Sequence, residues 1–145
     1  MSGRTLFQKI IEGEIPSHQI GRGDGWYAFL DIFPRRAGHT LVIPEKPVIH
    51  ISELNEEETS RLFNGLQIVQ NKLSKFFKTN DFTICIHDGP LAGQEVPHSH
   101  IHVIPRTEGD GGLSLMSMWP ETRNDSEPRH EDLASLAKSI QEGAL

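Results

Sequence analysis

The sequence predicts an α+β domain, an antiparallel β-sheet of about five strands with a long helix packed on it and a C-terminal helix. Three observations carry this. Apolar residues recur at helical spacing through the middle of the chain, at Leu62, Phe63, Leu66, Val69, Leu73 and Phe76. Alternating or β-branched runs lie on both sides of that stretch. The first two of these runs are joined by a short connection, which reads as a hairpin and therefore as an antiparallel sheet.

In chain order, Leu6, Phe7, Ile10 and Ile11 are spaced for one face of a short helix, which Gly13 and Pro16 stop. Residues 26–31 alternate as a strand with Phe29 and Asp31 on one face. A turn over 34–38 leads to the β-branched run Thr40 to Ile43, closed by Pro44. Asn55 followed by Glu58 has the pattern of a helix cap, and the helix runs over about 55–78. Its apolar stripe is read as packing on the sheet. Phe82, Ile84 and Ile86 alternate with Thr83, Cys85 and His87 as another strand. A Gly-rich turn over 89–93 precedes a strand from Val96 to Ile104. Residues 106–129 are polar and Gly-containing, and a connection this long is often functional or part of an interface. Leu133, Leu136, Ala137 and Ile140 then mark the C-terminal helix.

Composition narrows the function. The chain has 145 residues, enough for one buried core, and no internal repeat or linker divides it. Its formal net charge is −6, so it has no global field for nucleic acid or an anionic membrane. A single cysteine, Cys85, excludes an intrachain disulfide and a Cys-rich zinc module. The apolar runs fall far short of the roughly 20 residues that span a bilayer. The first residues lack a signal-peptide core, and a cytoplasmic location is the expectation.

Histidine is the unusual residue: there are eight, and three fall in five positions, His98, His100 and His102. Strand side chains alternate faces, so all three are expected to point one way, with Ser99, Ile101 and Val103 on the other face. Three imidazoles on one face are costly to bury without partners. Two chemistries suit them. Alternating histidines can hold zinc with an open position. An imidazole with one nitrogen held as a donor and the other free can attack phosphorus. Gly89, Gly93 and Gln94 precede the row, and a Gly-rich turn can bring backbone N–H groups to a phosphate. That context favours phosphate over a bare metal.

His98-Ser99-His100-Ile101-His102-Val103-Ile104 resembles the motif of the histidine triad (HIT) family, three histidines separated by apolar residues. Ser99 is its one departure. The likeness extends to Leu6-Phe7-Gln8-Lys9-Ile10-Ile11, to Ala28-Phe29-Leu30-Asp31-Ile32, to Gly38-His39-Thr40-Leu41-Val42-Ile43-Pro44 and to Ala92-Gly93-Gln94, covering about residues 5–106. The resemblance implies a single HIT domain over 1–145, with 107–145 as a C-terminal loop and helix. It implies a nucleotidyl hydrolase or transferase in which His100 is the nucleophile. His98 and His102 would orient it and hold phosphate oxygens, and His39 would support the triad from behind. Asp31 would take the ribose hydroxyls. Phe7, Ile10, Phe29, Ile32 and Leu41 match the family's apolar slot for a purine base. His87, Gly93, Gln94 and Glu95 would complete the nucleotide site. The family is usually homodimeric, and a homodimer is expected here.

Three departures bear on chemistry. His87 stands where the family often has an asparagine that helps hold ribose or phosphate, and a histidine could donate there with different geometry. Glu95 lies where some members carry a hydroxyl that donates to phosphate, and a carboxylate there would repel a phosphate leaving group. Either Glu95 points away and its backbone N–H serves the phosphate, or the leaving group is an amine, as in a purine nucleoside 5′-phosphoramidate, which tolerates the acid better. Some relatives hold a structural zinc with an N-terminal Cys-x-x-Cys and a histidine near His50. Those cysteine positions are Thr5 and Gln8 here, so no structural zinc and no cofactor are expected. The leading expectation is therefore a phosphoramidase that releases AMP from an amine. The alternatives are a diadenosine polyphosphate hydrolase of the same chemistry, a nucleotide-binding regulatory module, and a metal-dependent hydrolase that uses the three histidines as ligands.

Overall fold

The computed structural model describes residues 3–122, 127 and 129–143. The chain divides between Gly112 and Leu113 into two compact units.

The N-terminal unit holds α1 (Leu6–Ile11), β1 (Gln19–Gly23), β2 (Trp26–Leu30), β3 (Thr40–Pro44), α2 (Glu56–Phe77), β4 (Phe82–Cys85) and β5 (Ile101–Pro105). The five strands form one sheet in the order β1-β2-β3-β5-β4, with every neighbouring pair antiparallel. The β2–β3 hairpin is in the expected place, with Phe29 opposite Leu41 and Tyr27 opposite Ile43.

Strand alternation sends successive residues to two different cores. Trp26 and Ala28 of β2, Val42 of β3, and Ile101 and Val103 of β5 pack with Leu62, Leu66, Val69 and Leu73 of α2. Tyr27, Phe29, Leu41 and Ile43 pack on the opposite side with Phe7 and Ile10 of α1. Each fully buried Leu or Val contributes on the order of 1.5–3 kcal/mol. Gly65 lets α2 approach the sheet closely, because a Cβ there would collide with the Trp26 indole. A capping box fixes the start of α2: Asn55 accepts from the Glu58 N–H, and Glu58 accepts from the Asn55 N–H, both at 2.8 Å.

Two expectations need correction. The strand expected over 96–104 begins only at Ile101. Pro97 has no N–H to give a ladder, the His98 N–H turns back to the Val96 carbonyl at 2.7 Å, and the Ser99 N–H goes to Val48 at 2.6 Å. β1 did not emerge from the residue pattern. It is an edge strand whose register shifts between Gln19 and Gly21, and only Gly21 is buried.

The C-terminal unit contains short 3₁₀ turns at Leu115–Ser117 and Pro120–Thr122, then α3 (His130–Gly143), close to its expected span.

Candidate active site

The α1 face of the sheet carries the histidines. His102 lies on β5 opposite Leu41 of β3 and Cys85 of β4. His98 and His100 come from the irregular segment before β5, and both lie edge-on to Phe7 of α1. The ring centroids are 5.6 Å apart for His98 and 5.1 Å for His100. His100 and His102 are 5.0 Å apart, and His102 is 5.2 Å from both His39 and His87. One cluster thus gathers His98, His100, His102, His39 and His87, with Asp31 at its edge.

Hydrogen bonds fix the tautomers. His98 is fully buried, and its Nε2 lies 2.8 Å from the Pro44 carbonyl, which can only accept. Nε2 therefore carries the proton, and Nδ1 accepts from the Thr5 hydroxyl at 2.7 Å. His100 Nδ1 donates to the His98 carbonyl at 2.8 Å, which leaves Nε2 with a free lone pair. His39 Nδ1 accepts from the Arg35 N–H at 3.1 Å. His39 Nε2 then donates to His102 Nδ1 at 3.0 Å, and the remaining proton of His102 sits on Nε2. The row thus presents a bare nitrogen at His100 beside a donor at His102.

Burial holds these rings neutral. It is the main cause lowering His98, His100 and His39 below the ordinary 6.5. His102 falls to about 4, through burial first and then through His100, His39 and His87. Asp31 opposes the shift at His39, His100 and His102.

Asp31 accepts from the Phe33 N–H through Oδ1 at 2.8 Å, and its Oδ2 lies 3.6 Å from His39 Nε2. Asp31, His39 and His102 place ligand atoms within 4.8 Å of one another, a spacing that suits a metal ion. The donor set does not: His39 spends its Nδ1 lone pair on Arg35, so its Nε2 bears a proton rather than a ligand pair.

The other expected residues divide. Phe7, Ile10, Phe29 and Leu41 share one buried cluster, whereas Ile32 is 69% exposed and stands outside it. Gln94 is buried and uses both ends of its amide within the chain. It accepts from the Gly89 N–H at 3.2 Å and donates to the Ile49 carbonyl at 3.1 Å. Gly93 adopts φ +101°, a conformation that favours glycine, and a Cβ there would lie 3.4 Å from His87 Nδ1. The Glu95 side chain is exposed. Sequence reasoning missed the contacts of Thr5, Pro44 and Arg35 with the histidines. Two of these are main-chain groups with no residue signature, and the third joins residues 93 positions apart.

A row of histidines entering β5, largely buried and one with a bare nitrogen, marks the site of this domain. The HIT domain model matches residues 12–109, and the chain belongs to that family. A HIT-like protein of Methanocaldococcus jannaschii is 37% identical over 135 residues, which is 93% of this chain and 97% of that one. The adenosine 5′-monophosphoramidase of Saccharomyces cerevisiae is 35% identical over 125 residues, 86% of this chain and 75% of that one. The crystal structure of a Streptococcus mutans protein superposes with a TM-score of 0.85 at 31% identity, covering 100% of this chain and 88% of that one.

Proposed function

We propose that this protein hydrolyses purine nucleoside 5′-phosphoramidates through a nucleotidyl intermediate on His100. The observation that carries the reading is the His100 ring: Nδ1 is pinned to the His98 carbonyl and Nε2 is free. Nε2 attacks the 5′-phosphorus, the P–N bond to the amine breaks, and the amine leaves with a proton taken from solvent. Water then cleaves the P–Nε2 bond, releasing the nucleoside monophosphate and the free imidazole. His102 Nε2–H donates to a phosphate oxygen as charge builds there. Asp31 takes the ribose hydroxyls with the oxygen not committed to Phe33. The phosphoramidase activity in the name of the yeast relative supports the substrate class.

A carboxylate at position 95 would disfavour a phosphate leaving group more than an amine if it faced that group, and its side chain is exposed. Glu95→Ser is expected to raise cleavage of a dinucleoside polyphosphate relative to a phosphoramidate. An unchanged ratio removes Glu95 as the selector.

The same reading includes a cytoplasmic homodimer. Phe63 and Ile68 on α2 are 40% and 39% exposed, which supports burial against a second copy. Light scattering behind gel filtration measures the assembly.

The decisive assay is AMP release from adenosine 5′-phosphoramidate with EDTA present, for wild type and His100→Asn. Release that survives EDTA and vanishes in the variant is expected. No release by the wild type overturns the reading, and loss with EDTA transfers it to metal chemistry.

A further inference from the structure

We propose that Thr5 is a positioning residue of the triad, whose hydroxyl fixes the orientation of His98 and so couples the seating of α1 to the alignment of His100. This rests on His100 being the nucleophile.

The hydrogen bonds around Thr5 have only one polarity. The Gln8 N–H donates to Thr5 Oγ1 at 3.0 Å, capping α1. The hydroxyl proton is left to donate to His98 Nδ1 at 2.7 Å. His98 Nε2–H donates to Pro44 at 2.8 Å. His100 Nδ1–H donates to the His98 carbonyl at 2.8 Å. A flipped His98 ring would turn carbon atoms toward both the Pro44 carbonyl and the Thr5 hydroxyl and leave those groups unmet in a site without solvent, which is costly. Thr5 and Pro44 therefore clamp the ring from both ends.

α1 also reaches the row through Phe7. Its ring stands at 62° to His98 and at 90° to His100. Two residues of one helical turn, Thr5 at the cap and Phe7 behind it, thus contact consecutive members of the triad. Releasing α1 removes the partner of His98 Nδ1 and the aromatic wall of His100 together. Burial and the neighbouring His100, the titratable group that faces His98, keep its ring neutral, the Pro44 carbonyl places the proton on Nε2, and the Thr5 hydroxyl holds the bare Nδ1.

Three variants separate this role from helix capping. Thr5→Val removes the hydroxyl and keeps the shape. Thr5→Ser keeps both functions. Thr5→Asp keeps the cap but cannot donate, so His98 Nδ1 must take up a proton of its own. The readouts are kcat and KM for adenosine 5′-phosphoramidate and the ¹⁵N signals of the His98 ring at neutral pH. Thermal unfolding checks that each variant is folded.

Wild type is expected to show the Nε2–H form of His98. Thr5→Val is expected to lose roughly tenfold in kcat with little change in KM, and Thr5→Ser to recover it. Thr5→Asp is expected to show a doubly protonated His98 and a reduced kcat despite its intact cap. Folded Thr5→Val and Thr5→Asp proteins with wild-type kcat and unchanged His98 signals overturn the proposal. So does Thr5→Asp matching Thr5→Ser in both readouts. If wild type does not turn over the phosphoramidate, the proposed reaction falls, and the ring signals alone decide whether Thr5 sets His98.

Discussion

His100 Nδ1 lies 2.8 Å from the main-chain carbonyl oxygen of His98, two residues upstream. A carbonyl accepts and cannot donate, so this contact decides which nitrogen of His100 is available. In the proposed reaction attack comes from Nε2. Rapid acid-free quenching of a reaction with radiolabelled adenosine 5′-phosphoramidate is therefore expected to trap label on the peptide that contains His100, through an acid-labile bond to Nε2. Label on His98 or His102, or on Nδ1 of His100, would contradict the assigned tautomer.

Stability is expected to fall on mild acidification. The triad histidines and His39 lie below the ordinary 6.5 when folded, His102 at about 4, with burial as the leading cause. Between about 4 and 6.5 the unfolded chain therefore binds more protons than the folded one, and stability rises with pH across that window. It is complete above 6.5 and is lost as pH falls toward 4. Asp88 and Asp110 are held below the usual carboxylate range, by the Ile51 N–H and by Arg106 respectively, and their contribution is lost only at still lower pH. Urea midpoints at several pH values test this, and His102→Gln should flatten the slope between 4 and 6.5.

Much of this was legible from one strand of sequence. The row of His98, His100 and His102 announced itself because a period of two is a strand signal and imidazole is rarely repeated in a core. The β2–β3 hairpin and α2 were equally plain, because turn and capping chemistry sit next to their apolar runs. β1 was not, because an edge strand with one buried residue has no alternation to read. The break before Ile101 was missed because the alternation of residues 98–104 reads as one strand, whereas the His98 and Ser99 N–H groups bond outside the ladder. Gln94 read as part of the nucleotide site, and nothing local to it revealed that its amide also bridges Gly89 and Ile49. Such bridges join distant segments, and single-sequence patterns carry only local information.

Ser99 stands where the family motif prefers an apolar residue, and its hydroxyl is buried without a hydrogen-bond partner. A buried unsatisfied polar group costs about 1–3 kcal/mol. Ser99→Ala is expected to raise the unfolding midpoint by about 3 °C. Differential scanning calorimetry measures it, and a lower midpoint would mean that the hydroxyl has a partner in solution.

Asp31 divides its carboxylate between two tasks. Oδ1 accepts from the Phe33 N–H at 2.8 Å and shapes the turn that leads to His39, while Oδ2 lies 3.6 Å from His39 Nε2 and faces the histidine cluster. Asparagine can keep the first task with its carbonyl oxygen but turns the second position into a donor. A ribose hydroxyl can still accept from that amide, yet it loses a charged acceptor, and a bond to a charged group is worth roughly 1.5–3 kcal/mol. Asp31→Asn is therefore expected to raise KM for adenosine 5′-phosphoramidate by about 10- to 100-fold, with a smaller effect on kcat. The 2′-deoxy substrate separates sugar binding from loop shape. Wild type should discriminate against it and the variant should not. Equal losses for both sugars would assign Asp31 to the loop and to His39 instead of the ribose.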